Sequence, residues 1–279
     1  MSGVRVVTDS TADMDAGEAA ALDITVVPLN VQWDGESYLD KVEISIDEFY
    51  RKLREDKRVP RTSQPPVGSF EEIYRRLLQD ADGVISLHIS GRLSGTFRGA
   101  QTAAQNVDPR RIAVIDSETL SYSLGTLVMR VGRMAKQGAT LGECVVAAEE
   151  LVPRLRLFAC MDTLEFLRRG GRLNRMQFFA GTLLSIKPIV HIVNGEVVPA
   201  DRVRTRSAAV RRMAELVLSL GPVEETGVLY GDDPRPADEL QRLLEQMSPG
   251  LRIVRGRTGS VVGTHTGPGV FGACAVLSR

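Results

Sequence analysis

The feature that most constrains this chain is a strand–turn–helix rhythm in its first half, without any internal sequence repeat. Each unit of the rhythm is a short apolar run, a polar turn, and a stretch with helical spacing. Residues 4–8 end at Asp9-Ser10-Thr11, residues 83–89 at Ser90-Gly91-Arg92-Leu93-Ser94-Gly95, and residues 112–115 at Asp116-Ser117. Apolar runs of this length bounded by turn residues read as buried strands. Strands alternating with helices give an α/β domain with a mostly parallel sheet. Helices are expected over 15–22, 69–79, 96–104, 120–136 and Leu141–Leu151, and Ser45 with Glu48 has the capping-box spacing that opens another, to Glu55. Residues 24–33 read as one strand, and 58–67, with three prolines, as a loop.

The second half has a different pattern. Asn194-Gly195 between two β-rich runs, 188–193 and Glu196–Val203, is the strongest short-range hairpin signal. Further strands are expected over 157–160, 227–230, 251–254 and 269–277, and helices over 162–168, 207–218 and 236–247. The segment 176–184 reads as apolar and helical. This pattern predicts a second domain, α+β with antiparallel pairing. The expected division is 1–155 and 156–279, in line with about two domains for 279 residues.

Charge excludes several function classes. Lys plus Arg number 35 and Asp plus Glu 35, so the net charge is zero. That argues against a broad nucleic-acid surface or a polybasic membrane anchor. No run of 18 apolar residues suggests a transmembrane helix, and the N-terminus lacks the basic start and apolar core of a signal peptide. Cys144, Cys160 and Cys274 are odd in number and widely spaced, which suits neither a disulfide framework nor a zinc site. They are expected to be buried small side chains in a reducing, cytoplasmic location.

In open α/β sheets, ligands gather beyond the carboxyl ends of the strands. The three polar turns fall there. The turn at 90–96 precedes a helix, and its N–H groups and hydroxyls suit a carboxylate or phosphate. The same residues also suit ordinary capping by Ser94 or Thr96. Thr62-Ser63-Gln64-Pro65 offers more hydroxyls, or closes its own loop as a hydroxyl turn. His265, in Thr264-His265-Thr266-Gly267-Pro268-Gly269, is either an anion donor or a turn histidine bonded to backbone. His88 and His191 lie in apolar strands and read as packing or surface residues. No G-x-x-x-x-G-K-[ST] loop, H-E-x-x-H pair or dinucleotide fingerprint occurs.

These motifs occur in one order along the chain: Thr8-Asp9-Ser10-Thr11-Ala12-Asp13, Thr62-Ser63-Gln64-Pro65, Leu93-Ser94-Gly95-Thr96, Asp116-Ser117, Arg169-Gly170-Gly171-Arg172, Lys187-Pro188 and His265-Thr266-Gly267-Pro268-Gly269. In that order the chain resembles the DegV family of bacterial fatty-acid-binding proteins. It departs from the family pattern at Gly91, where Ser is usual, Phe97, where Tyr is common, and Arg169, where Lys is common.

The resemblance implies two α/β domains with a fatty acid held in the cleft between them, His265 returning to that cleft from the last segment. It implies that Thr62, Ser94 and His265 bind the carboxylate, with the Gly95 N–H as a further donor. It implies a carrier rather than an enzyme, with no cofactor beyond the bound acid. The carrier role is in phospholipid metabolism, presenting the carboxylate to the separate ATP-dependent catalytic subunit of a fatty acid kinase, which makes the acyl phosphate. Phe166, Phe178, Phe179, Leu183, Leu184 and Ile186 are the expected acyl-chain wall, and Arg169, Arg172, Arg202 and Arg204 the expected kinase contacts. The competing reading is an enzyme. One form is a Ser94/His265 acyl hydrolase with Asp9 or Asp116 orienting the imidazole; the other acts on a sugar phosphate.

Overall fold

The computed structural model describes residues 3–56, 58–172 and 186–279. The first half runs β1 (Val4–Asp9), α1 (Ala16–Ala21), β2 (Ile24–Val27), β3 (Asn30–Trp33), β4 (Glu36–Leu39), α2 (Ile46–Glu55), β5 (Arg61–Ser63), α3 (Val67–Leu77), β6 (Gly83–His88), α4 (Thr96–Val107), β7 (Ile112–Asp116), α5 (Ser121–Lys136) and α6 (Leu141–Leu151). The expected parallel sheet is present, with strand order β2-β1-β6-β7. Every residue of β6 is buried, as a central parallel strand covered on both faces requires.

Two expectations fail around the prolines. The single strand over 24–33 is broken at Pro28, which has no N–H to continue a ladder. Before it, β2 joins the parallel sheet. After it, β3 starts a separate antiparallel sheet of order β4-β3-β5. The expected loop over 58–67 contains β5, because Pro60, Pro65 and Pro66 all lie outside the three residues that pair. Within β5, Thr62 sits opposite Val31. Helix starts follow the capping signals: Ser45 Oγ accepts from Glu48 N at 3.2 Å, and Asp15 and Thr140 form complete capping boxes.

The second half runs β8 (Leu155–Cys160), α7 (Glu165–Arg169), β9 (Lys187–Val193), β10 (Glu196–Val203), α8 (Arg206–Leu218), β11 (Val223–Tyr230), α9 (Arg235–Met247), β12 (Arg252–Arg257), α10 (Ser260–Thr266) and β13 (Phe271–Leu277). Its six strands form one sheet, ordered β10-β9-β8-β13-β11-β12 and antiparallel except at β11–β12. At the β9–β10 hairpin, Asn194 (φ 47°) and Gly195 (φ 76°) take the left-handed conformation that a two-residue turn demands. The apolar segment expected over 176–184 lies outside the described residues.

Strand alternation gives this sheet two apolar faces. Phe158, Cys160, Ile189 and Val228 point to α8 and α9, packing on Val210, Met213 and Leu240. Leu157, Val190, Ile192 and Leu229 point the other way, toward the first half of the chain, where Tyr122 and Met129 of α5 meet them. The opposite side of α5 packs under the parallel sheet through Leu124, Leu127 and Val131. Two layers thus bury α5 from Ser121 to Met129 without a break.

The sequence reading missed α10, because a run of Gly, Thr and Val is a poor helix former. Packing supplies what propensity lacks: Val261 and Val262 are buried, and α10 sits against α2, β3, β5 and α7. Helix α7 starts at Glu165, three residues later than expected, where Thr163 Oγ1 accepts from Glu165 N. All three cysteines are buried and free, and burial pushes the Cys160 and Cys274 thiols up to about 12. Among the described residues, no helix is long and apolar enough to cross a membrane.

Candidate functional site

The T-D-S-T-A-D segment is structural in its contacts, contrary to its expected place at the ligand. Asp9 is fully buried, and its Oδ2 accepts from His88 Nδ1 at 2.9 Å and from Ile89 N at 3.0 Å. Ser86 Oγ donates to His88 Nε2 at 2.7 Å, and Tyr74 OH donates to Ser86 at 2.8 Å. His88 is thus one link in a buried polar chain, which a strand pattern alone did not reveal. Asp13 accepts from Lys41 Nζ (3.0 Å), Gly259 N (2.9 Å) and Ser121 Oγ (2.7 Å), tying the starts of α10 and α5 to the end of β1.

The second polar turn reaches a cavity. Gly91 N donates to Asp116 Oδ2 at 3.1 Å, and Ser90 Oγ donates to the Gly195 carbonyl at 2.8 Å. These bonds fix the turn between β7 and the β9–β10 hairpin. Gly95 lies under the Gln64 carboxamide, so closely that a Cβ at 95 would overlap it. The T-S-Q-P segment and the L-S-G-T turn are therefore packed against each other, a pairing that the sequence does not show.

Thr62, Ser94 and His265 all line this cavity, whose space comes to about 900 Å³ when the open solvent at its mouth is counted. Thr62 Oγ1 and His265 Nε2 share a hydrogen bond of 2.8 Å. Ser94 Oγ and Thr96 Oγ1 share another, 2.9 Å. His265 Nδ1 is buried without a partner. Burial first, and the Arg172 guanidinium second, lower the His265 pKa to about 4, so the imidazole is neutral near pH 7. The rest of the lining is overwhelmingly apolar. Leu157, Val190, Ile192 and Leu229 form its floor on the six-stranded sheet, and Leu29, Ile89 and Leu120 cover it from the first half of the chain.

The hydrolase geometry is absent. No carboxylate bonds to His265 among the described residues: Asp9 is held by His88, and Asp116 accepts from Gly91 and Glu118. Ser94 is engaged with Thr96, not His265.

The expected acyl wall is corrected in part. Phe166 packs beside the Trp33–Phe49 cluster, and Ile186 on the edge of the sheet core; neither lines the cavity. Among the described residues, Leu157, Val190, Ile192 and Leu229 of the sheet face line the cavity, together with Val261 and Val262 of α10. Phe178, Phe179, Leu183 and Leu184 lie outside the described residues.

The four arginines separate. Arg169 pairs with Glu165 at 2.5 Å. Arg172 donates to the Leu93 carbonyl at 3.1 Å and lines the cavity. Arg202 and Arg204 are exposed at and just beyond the end of β10. Outside Ser94 a polar recess formed by Gly91, Arg92, Gly95, Arg98 and Arg172 joins the cavity. Gly95 lines this recess and not the cavity proper.

Comparison with known proteins bears on this site. The profile of a family described as "Uncharacterised protein, DegV family" matches residues 3–278. A DegV domain-containing protein of Caldanaerobacter subterraneus is 36% identical over 275 residues, covering 98% of each chain. Protein DegV of Bacillus subtilis is 34% identical, covering 97% of this chain and 98% of its own. Among solved structures, a DegV family protein from Thermus thermophilus described for its fatty-acid binding superposes with a TM-score of 0.91 at 35% identity, covering 99% of this chain and all of that one. DegV of Bacillus subtilis, described as a fatty acid binding protein, superposes with a TM-score of 0.89 at 32% identity and full coverage of both chains.

Proposed function

This chain belongs to the DegV family, and from that premise we propose that it binds one long-chain fatty acid as a carrier. The supporting observation is a mostly apolar cavity whose few polar lining residues include Thr62, Ser94 and His265. The carboxylate accepts hydrogen bonds from these three side chains, and the tail lies on the sheet face. Roughly 14–16 methylenes at about 0.8 kcal/mol each give about 11–13 kcal/mol of gross transfer free energy, which association costs reduce. Charge-assisted hydrogen bonds add about 1.5–3 kcal/mol each. The tail therefore dominates affinity, and the polar end fixes orientation.

The finer reading is that the carrier presents the carboxylate to a separate kinase subunit, which forms an acyl phosphate from ATP. The recess outside Ser94 supports it, since Arg92, Arg98 and Arg172 line it, Arg92 paired there with Glu196 at 2.7 Å. Arg169, Arg202 and Arg204 extend the docking surface. In this reading residues 1–155 and 156–279 are two domains that share the cavity, and the protein acts in the cytoplasm. Solvent extraction of purified protein followed by mass spectrometry tests the carrier. A protein that carries no fatty acid and takes up none when offered it refutes the proposal. Incubation with kinase subunit, ATP and hydroxylamine tests presentation through the acyl hydroxamate formed.

A further inference from the structure

Resting on the fatty-acid reading, we propose that the six-stranded sheet measures acyl-chain length, with Ala159 at the midpoint of the ruler and Leu229 at its end. The cavity floor draws only one or two residues from each strand but touches five neighbouring strands, β10 through β11. Its long dimension therefore runs across the strands. The mouth lies at the β10 side: Ser94 and Val197 border both the cavity and the outer recess, and Ser90 is bonded to Gly195 at the hairpin tip.

Register fixes what the tail crosses. Val190 pairs with Ala159, Ala159 with Gly272, and Gly272 with Leu229, so these four stand side by side on one face. The row reads branched, small, bare, branched. Its middle is a trough where a hydrocarbon lies close to the backbone, and Leu229 rises beyond it. Beside Leu229 the next strand carries Gly256, packed under the ring of Tyr122, which closes the path. From β10 to β11 there are four strand spacings of about 4.8 Å, or about 19 Å. Extended hydrocarbon advances about 1.3 Å per carbon from ordinary single-bond geometry, so the path holds about 14–16 carbons. Ala159, two spacings from the mouth, meets the chain near its eighth carbon.

The test is a length series of saturated fatty acids, C8 to C20, titrated into delipidated protein by displacement of a fluorescent fatty acid. For the wild type, affinity is expected to rise with each added pair of carbons and level off at about C14–C16. Ala159→Leu is expected to weaken C16 at least tenfold while changing C8 less than threefold. Leu229→Ala is expected to move the plateau outward by one or two carbons. Ala159→Val substitutes if the leucine variant does not fold. Folded variants with the wild-type length profile overturn the ruler and leave the fatty-acid reading intact. A wild-type protein that binds no acid of any length overturns the fatty-acid reading itself.

Discussion

The imidazole of His265 rests on the bare Cα of Gly170, so closely that a Cβ there would overlap Nδ1. Gly170 has φ −75°, an angle any residue adopts, so the glycine is required by contact and not by backbone conformation. Gly170→Ala should therefore displace His265 without straining the chain. The expected result is about a tenfold loss of fatty-acid affinity with a melting temperature within a few degrees of wild type. Unchanged affinity in a folded variant would mean that the ring's position is irrelevant to the ligand.

Ser94→Ala and Thr62→Ala each remove a hydroxyl from the polar end of the cavity. Loss of one hydrogen bond to a charged group costs about 1.5–3 kcal/mol, or roughly 10- to 150-fold in affinity. A fatty acid methyl ester, which lacks the charge, should be affected far less. Isothermal titration with both ligands separates the outcomes. Equal losses for acid and ester would place the hydroxyls away from the headgroup.

Histidine burial sets a pH dependence. His265 and His191 are lowered from 6.5 to about 4, each chiefly by desolvation. Between about pH 6.5 and pH 4 the unfolded chain takes up protons that the folded chain refuses. Stability should thus be complete above that window and fall as pH drops through it, by up to about 3 kcal/mol for His265. Urea midpoints at pH 7 and pH 4.5 measure this, and the His265→Asn variant should show a shallower slope. A bound carboxylate favours the imidazolium, so ligand binding near pH 5 should take up protons, seen as a buffer-dependent heat.

Asp13 holds Lys41, Gly259 and Ser121 at once. Asp13→Ala leaves the largely buried Lys41 ammonium without its carboxylate, at a cost of about 3–5 kcal/mol. It also frees the start of α10, which carries His265. Hydrogen exchange should show faster opening at 260–266 than in the parallel sheet. Equal protection in both regions would argue against the clamp.

Local patterns made much of this fold legible. Apolar runs bounded by turns located β1, β6 and β7, the Ser45–Glu48 spacing located α2, and Asn194-Gly195 located the hairpin. Errors arose where tertiary contact outweighs local preference. Pro28 divides one apolar run between two sheets, and α10 is helical through packing rather than propensity. The cavity's polar end was visible as three motifs but not as one place, because Thr62 and His265 are 203 positions apart when they meet. Of the expected tail wall, Phe166 and Ile186 fall outside the cavity lining because strand register, which local sequence does not reveal, decides which side chains face it.

The strand order also has a consequence for biosynthesis. β13, which is made after the other five strands of the six-stranded sheet, occupies an interior place in it, between β8 and β11. Until its residues emerge, β8 and β11 each have an unpaired edge, and the binding floor exists only as two unjoined halves. Sheets that wait for a late interior strand fold slowly and expose edges meanwhile. A chain stopped before Phe271 would therefore leave the two halves of the floor unjoined, with the edges of β8 and β11 open to aggregation.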